Sequence, residues 1–225
     1  MELFDLTLAT PRDNLEMEEN LLDSLENQAE IFRMWEATEP IVVLGRSSQL
    51  ETEVKIAECI KSGTPMLRRV SGGAAIVAGP GCLMYAAIVN LEKRPELVMV
   101  DRAHAWVLDQ FVQALRPIIP NVSCAGTSDL VLLPDDAIAL DGTCGKADHR
   151  ARKFSGNSMR KKRTRILYHG TIMYDFDLSL IDRYLHMPPR QPGYRLNRAH
   201  TEFVANLPMN GKTLRETIAN HWEAL

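Results

Sequence analysis

The chain has 225 residues, with 26 Lys and Arg against 29 Asp and Glu, for a formal charge of -3. Apolar residues make up 45% and charged residues 24%, a globular balance that excludes a disordered chain, a fibre or a coiled coil. The mildly acidic total excludes a globally basic nucleic-acid binder, and no apolar run approaches the ~18 residues that span a bilayer.

The first dozen residues carry Glu2 and Asp5 and lack the basic-then-apolar pattern of a secretory signal, so a cytoplasmic protein is expected. The four cysteines, Cys59, Cys82, Cys124 and Cys144, form no C-x-x-C pair. Free thiols are expected, and a zinc site is not.

Residues 14–37 read as one helix. Pro11 and Asn14 are start signals, Leu15, Leu21, Leu22, Leu25, Ile31 and Phe32 are loosely periodic, and Pro40 ends the run. Ile41, Val42, Val43 and Leu44 form an unbroken apolar run closed by Gly45, the mark of a buried strand. A second helix is expected over 51–62, stopped by Gly63, and a strand over 66–70. Gly72, Gly73, Gly79, Pro80 and Gly81 punctuate 72–91, which reads as a hairpin of 74–77 with 83–91.

Residues 102–115 form an amphipathic helix ended by Pro117 and Pro120, and 129–133 a strand. The polar stretch 134–150, with an apolar patch at 137–140, reads as a hairpin with an extended loop. Residues 153–160 and 166–174 are expected to pair as strands around the basic run Arg160, Lys161, Lys162, Arg163 and Arg165. A short helix over 178–185, an irregular proline-rich segment over 187–194 and a terminal helix over 213–225 complete the chain. The interleaving predicts one α/β (α+β) domain.

Two segments carry chemistry. Arg68-Arg69-Val70-Ser71-Gly72-Gly73-Ala74-Ala75 sets fixed cations beside glycines, whose backbone lets a ligand approach and whose N–H groups hold anionic oxygens. Lys153-Phe154-Ser155-Gly156-Asn157-Ser158 sets a strand lysine before a small-residue bend, where it can neutralise a carbonyl oxygen or a phosphate. Taken singly, each is most simply a turn flanked by solvated cations. Together they offer what an acyl phosphate needs: charge for its oxygens and room for its chain.

The first segment resembles the R-R-x-S-G-G-G motif of the lipoate–protein ligase A family and its relatives, the octanoyltransferases and biotin protein ligases. The second is similar to that family's K-x-S-G-x-A segment. Asn14 to Glu19, Gly45-Arg46-Ser47-Ser48-Gln49, Gly126-Thr127-Ser128-Asp129-Leu130 and Tyr168-His169-Gly170-Thr171 resemble further family segments in the same order, so the likeness covers 14–185. It implies a mixed, largely antiparallel sheet flanked by helices. It also implies a single catalytic domain over 1–225, without the C-terminal accessory domain of longer ligases.

The activity implied is ligation: lipoate and ATP, with Mg2+, form lipoyl-AMP, and the lipoyl group passes to a lysine of an acceptor lipoyl domain. By the resemblance, Arg69, Ser71, Gly72, Gly73, Ala74, Ala75, Cys82, Ser155, Gly156 and His169 line the acyl-adenylate site. Lys153 contacts the acyl carbonyl oxygen and the phosphate, and Asp129 is the candidate magnesium ligand. The chain departs from the family pattern at Ala74, where a third glycine is usual, at Cys82, where asparagine is common, and at Ala78-Gly79 and Thr127-Ser128.

Two other readings stay open. One is an octanoyl or lipoyl transferase drawing on acyl carrier protein through a cysteine acyl-enzyme, with Cys124 or Cys144 as nucleophile. The other is a non-catalytic module that binds an acyl group or an acceptor. A separate accessory chain is a further candidate partner; nucleic acid and membrane are not expected partners. The basic run is read first as a solvated hairpin turn and second as a docking surface for an acidic lipoyl domain.

Overall fold

The computed structural model describes residues 1–23, 29–137 and 148–225. In chain order they form β1 (Glu2–Asp5), α1 (Pro11–Asp23), β2 (Ile31–Glu36), β3 (Ile41–Leu44), α2 (Leu50–Glu53), α3 (Ile56–Ser62), β4 (Met66–Arg68), β5 (Ile76–Ala78), β6 (Cys82–Asn90), α4 (Val100–Leu115), β7 (Val122–Ala125), β8 (Asp129–Leu132), β9 (Arg152–Lys161), β10 (Arg165–Met173), α5 (Ser179–Tyr184), α6 (His200–Phe203) and α7 (Gly211–Glu223). Seven strands build one sheet in the order β1-β2-β6-β10-β9-β8-β7, and three build a second, β4-β3-β5. β1 pairs parallel with β2, and the other pairings of the large sheet are antiparallel. The fold is therefore a mixed, largely antiparallel sheet flanked by helices. No helix among the described residues is long and apolar enough to cross a membrane.

The centre of the large sheet is buried on both faces, which is why β6 reads as a continuous apolar run rather than an alternation. On one face Phe32, Tyr85, Phe154 and Tyr168 pack with residues of α4 and α7. Trp222 of α7 stacks on Phe32 with ring centroids 4.3 Å apart, and Phe111 of α4 meets Tyr85 at 4.5 Å. Each such side chain contributes about 1.5–3 kcal/mol of burial. The second face packs against α1 and the three-stranded sheet, and a cavity remains between them.

The helix expected over 14–37 is two elements. α1 starts at Pro11, with the Thr10 hydroxyl accepting the Asp13 N–H at 3.1 Å, and β2 occupies 31–36 between β1 and β6. Five consecutive buried residues, Ile31 to Trp35, fill both faces of the sheet and erase the alternation that marks a strand. The expected hairpin over 72–91 does not form. β5 pairs with β3 in the small sheet, whereas β6 lies between β2 and β10 in the large one. The glycines make a crossing between sheets.

The helix expected over 51–62 breaks at Val54, which bridges to Leu185. The strand over 129–133 pairs with β7 and β9, and the apolar patch proposed as its hairpin partner falls largely outside the described residues. β9 and β10 do pair around the basic run, as expected. Lys161, Lys162 and Arg163 are exposed, but Arg165 is buried within β10 and is not part of that surface.

Candidate active site

A cavity of about 270 Å³ lies between the second face of the large sheet and the small sheet. Val43, Ile76 and Val77 line it from the small sheet, and Met84, Thr171 and Met173 from the large one. Leu15 of α1 and Ile181 of α5 add to the apolar wall. Lys153, Asp129, Gly73, Ala74, Ala75, Gly156 and Ser158 line it as well. The segment after α5 supplies His186, Arg190, Arg195 and His200 to the wall.

The glycine loop is clamped from beneath. The Arg69 guanidinium donates to Val43 O at 3.1 Å, Gly72 O at 2.6 Å, Ala74 O at 3.0 Å and Ser71 Oγ at 3.1 Å. Burial pushes its pKa down to about 10, against the opposing pull of Glu53 and Glu18. Arg69 was expected to meet the ligand. It borders the cavity, but it donates to β3, to the Ser71 hydroxyl and to two loop carbonyls, so it shapes the cradle. Arg68 does the same for the neighbouring turn, donating to Gly45 O at 2.6 Å and Ser48 O at 3.1 Å.

Glu53 accepts the Ala75 N–H at 2.6 Å and the Ser48 hydroxyl at 3.1 Å, tying α2 to the loop. A methyl group on Gly45 would overlap the Gly73 carbonyl, so turn and loop fit only while this position is glycine.

Lys153 is fixed at its backbone by a bridge to Val204 and by Ala205 N donating to its carbonyl at 2.9 Å. Its Nζ lies 2.7 Å from Asp129 Oδ1, and Asp129 Oδ2 accepts the Tyr194 hydroxyl at 2.8 Å. Burial first, then the Asp129 charge, pushes the Tyr194 phenol well above its ordinary range and keeps it a donor. The lysine stem crosses Gly156, where an added Cβ would lie 2.8 Å from Cε and Nζ.

Ser71 is fully buried and off the cavity wall, contrary to expectation. Its hydroxyl meets His169 Nε2 at 2.5 Å and Ser158 Oγ at 2.6 Å. His169 lines the cavity, and its Nδ1 lies 2.6 Å from Glu18 Oε2. Glu18 Oε1 accepts Trp35 Nε1 at 2.8 Å, with Arg33 at 3.9 Å.

Ser155 is also buried, donating to Asn157 Oδ1 at 3.2 Å rather than facing a ligand. Gly72 likewise lies off the wall. Asn157 ties β9 to Tyr85, which donates to Oδ1 at 2.7 Å, and to Ser128, whose carbonyl accepts Nδ2 at 2.8 Å. Gly170 leaves room for that side chain.

The cysteines change role. Cys82 is fully buried on β6 in the core beside the small sheet, and burial, reinforced by Glu36, pushes its thiol up to about 12. It does not line the cavity. Cys124 is buried on β7 and disulfide-bonded, so the expectation of free thiols fails there, and it too lies off the cavity wall. Cys144 lies outside the described residues. Cys59 and Cys82 are free.

Several site residues are not singled out in the sequence, although Asn14 and Glu18 lie within the family-like segment Asn14 to Glu19. Glu18 and Asn14 share the buried face of α1 with Leu15 and Leu22. That helical spacing marks Glu18 as an inward carboxylate. Tyr194, Arg195 and His200 come from a polar, proline-rich stretch that reaches the cavity only in the folded chain.

Residues 10–215 match the model of the lipoyl protein ligase A/B catalytic domain family. A probable lipoate-protein ligase A of Mycoplasma pneumoniae is 26% identical over 179 residues, 79% of this chain and 46% of that protein. The chain thus spans about half the length of the curated relatives it matches. Among solved structures, the bi-partite lipoate protein ligase described with its E2 lipoyl domain from Thermoplasma acidophilum superposes with a TM-score of 0.78 at 18% identity, covering 99% of this chain and 82% of that one. A lipoate-protein ligase A bound with ATP gives 0.72 at 18% identity, covering 99% and 84%. With the family match running through nearly its whole length, this chain belongs to the lipoyl protein ligase A/B catalytic domain family.

Proposed function

We propose that the chain activates lipoate with ATP to lipoyl-AMP and passes the lipoyl group to a lysine of an acceptor lipoyl domain. The observation that carries this reading is one cavity with apolar walls for an acyl chain, lined also by a fixed ammonium, Lys153, and by a glycine loop. The family membership and the ATP and E2 lipoyl domain named for its structural neighbours support it.

In the first step the lipoate carboxylate attacks the α-phosphorus and pyrophosphate leaves. In the second the acceptor amine attacks the acyl carbonyl carbon and AMP leaves. Lys153 offsets charge on the phosphate and on the carbonyl oxygen. Charge on that oxygen grows toward the tetrahedral state, so the lysine favours that state over the ground state. Gly73 and Ala74 line the same cavity, where their backbone N–H groups would serve the same oxygens.

A resident magnesium site does not fit the residues present. Among the described residues no three His, Cys, Asp or Glu side chains converge. Asp129, the expected ligand, has one oxygen on an ammonium and the other on a phenol. Magnesium needed by the chemistry would travel on the triphosphate.

The transferase alternative is not favoured: Cys82 is buried off the wall and Cys124 is disulfide-bonded. The test is to incubate the chain with lipoate, ATP and magnesium, assay lipoyl-AMP by chromatography, then add a lipoyl domain and read its mass. Lipoyl-AMP followed by a lipoylated lysine is expected. Acylation of the chain itself from an acyl-carrier-protein thioester, lost in Cys144→Ala, would overturn the reading.

A further inference from the structure

Resting on that reading, we infer that Ser158, Ser71, His169 and Glu18 form a proton relay that takes the proton released when the acceptor lysine attacks the acyl-adenylate. The four side chains form one continuous run of hydrogen bonds, in which Ser158 and His169 line the cavity and Ser71 and Glu18 are buried behind it. Ser158 lines the cavity, its Oγ is 2.6 Å from Ser71 Oγ, Ser71 Oγ is 2.5 Å from His169 Nε2, and His169 Nδ1 is 2.6 Å from Glu18 Oε2.

With His169 acting as the base of this relay, and so neutral before the reaction, the partners set the direction of the hydrogen bonds. A guanidinium only donates, and a serine hydroxyl has one donor and two acceptor positions. Arg69 Nε fills one acceptor position of Ser71. Glu18 accepts from Trp35 and serves as acceptor for His169 Nδ1–H. A neutral imidazole with its proton on Nδ1 presents Nε2 as an acceptor, so Ser71 donates to it. Ser71 then has one acceptor position left, and Ser158 donates into it. Every hydrogen points inward, which leaves the lone pairs of Ser158 Oγ for a donor in the cavity. The arrangement repeats the serine–histidine–carboxylate logic of acyl-transfer enzymes with one more hydroxyl at the front.

The step balances. The neutral amine forms the C–N bond, and the carbon–oxygen bond to the adenylate phosphate breaks, the electron pair leaving with AMP. The proton on the attacking nitrogen passes to Ser158 Oγ, the Ser158 proton to Ser71, and the Ser71 proton to His169 Nε2. Glu18 offsets the imidazolium charge until the proton returns to solvent. Adenylate formation begins from a carboxylate and releases no proton from its nucleophile, so the relay acts on transfer alone. The charged groups bearing on His169 are Glu18 from α1, Arg33 from β2 behind it, and Arg69 from the loop after β4, with Glu53 beyond Arg69.

The test compares the two half-reactions in Ser158→Ala, Ser158→Thr and Glu18→Gln. Adenylation is read by pyrophosphate exchange and transfer by single turnover of preformed lipoyl-AMP onto a lipoyl domain. The ratio of transfer to adenylation is expected to fall about 100-fold at about pH 7 in Ser158→Ala and Glu18→Gln, and to return in Ser158→Thr. The defect should shrink roughly tenfold per pH unit toward pH ~9, as hydroxide takes the place of the relay in accepting the proton from the attacking nitrogen. An unchanged ratio in a folded Ser158→Ala, or a pH-independent loss shared by both half-reactions, would overturn the relay alone. Absence of lipoyl-AMP in the wild type would overturn the underlying reading, and the relay with it. Ser158 sits on the cavity wall, so its variants decide the matter even if Glu18→Gln fails to fold.

Discussion

Gly156→Ala perturbs the site without removing any of its functional groups. The new methyl carbon would stand 2.8 Å from both Cε and Nζ of Lys153. Ordinary contact needs about 3.4 Å or more, so the ammonium must retreat by at least ~0.6 Å. The obstructing atoms are the free end of a flexible side chain, so the fold should tolerate the change. The structural loss is the optimum of one ion pair now at 2.7 Å, with Lys153 about a quarter exposed, which contributes no more than ~1 kcal/mol. For a chain of this size that is about 2–4 °C in Tm.

Chemistry is less forgiving, since displacement by about 1 Å from a productive geometry costs on the order of 100-fold. Pyrophosphate exchange with lipoate and ATP is therefore expected to slow by about 10–100-fold in Gly156→Ala, while thermal unfolding moves by no more than about 4 °C. Wild-type exchange in a folded Gly156→Ala would refute the claim that the placement of Lys153 matters. A collapse of stability would refute the claim that only the lysine tip obstructs the methyl group.

Other substitutions probe the scaffold. Gly45→Ala pushes a methyl into the Gly73 carbonyl, backbone against backbone. It should cost about 1–3 kcal/mol in denaturant unfolding and weaken lipoyl-AMP binding, read by calorimetry. Gly170→Ala displaces the Asn157 side chain and its bonds to Tyr85 and Ser128. A Tm lowered by several degrees together with slower turnover is expected. Burial lowers the pKa of His104 and His200. The unfolded chain then binds more protons, so stability is complete above the unfolded value of about 6.5 and is lost as pH falls through the lower folded values. Tm measured from about pH 7 down to about pH 5 should decline, less steeply in His104→Gln. Cys82, buried with its thiol pushed up to about 12, should resist maleimide in the native protein and react once the chain is denatured.

The parts of the site legible in the sequence were those confined to one short segment. The glycine loop and the lysine strand advertise themselves by residue type, and His169 by its neighbours. What holds them in place is non-local. Glu18 reads as one acid among several on α1 until β10 brings His169 against it, 151 positions away. Tyr194 reads as part of a proline-rich surface segment until it meets Asp129. β2 was hidden because both its faces are buried, and the glycine-rich stretch before β6 looked like a hairpin because composition does not say which sheet a strand joins. The sequence motif also put Ser71 and Arg69 at the ligand. The structure shows that the serine has turned inward and that the arginine donates to β3, to that serine and to two loop carbonyls.

The most direct measurement is pyrophosphate exchange dependent on lipoate, run on the wild type and on Lys153→Ala in parallel, with circular dichroism to confirm that both are folded. Robust exchange in the wild type, reduced by at least about 100-fold in the variant, is predicted, because the ammonium that shares the cavity with the glycine loop is the fixed charge on which the proposed chemistry depends. Equal exchange in both proteins would contradict the role assigned to Lys153, and no exchange in either would contradict acyl-adenylate formation by this chain.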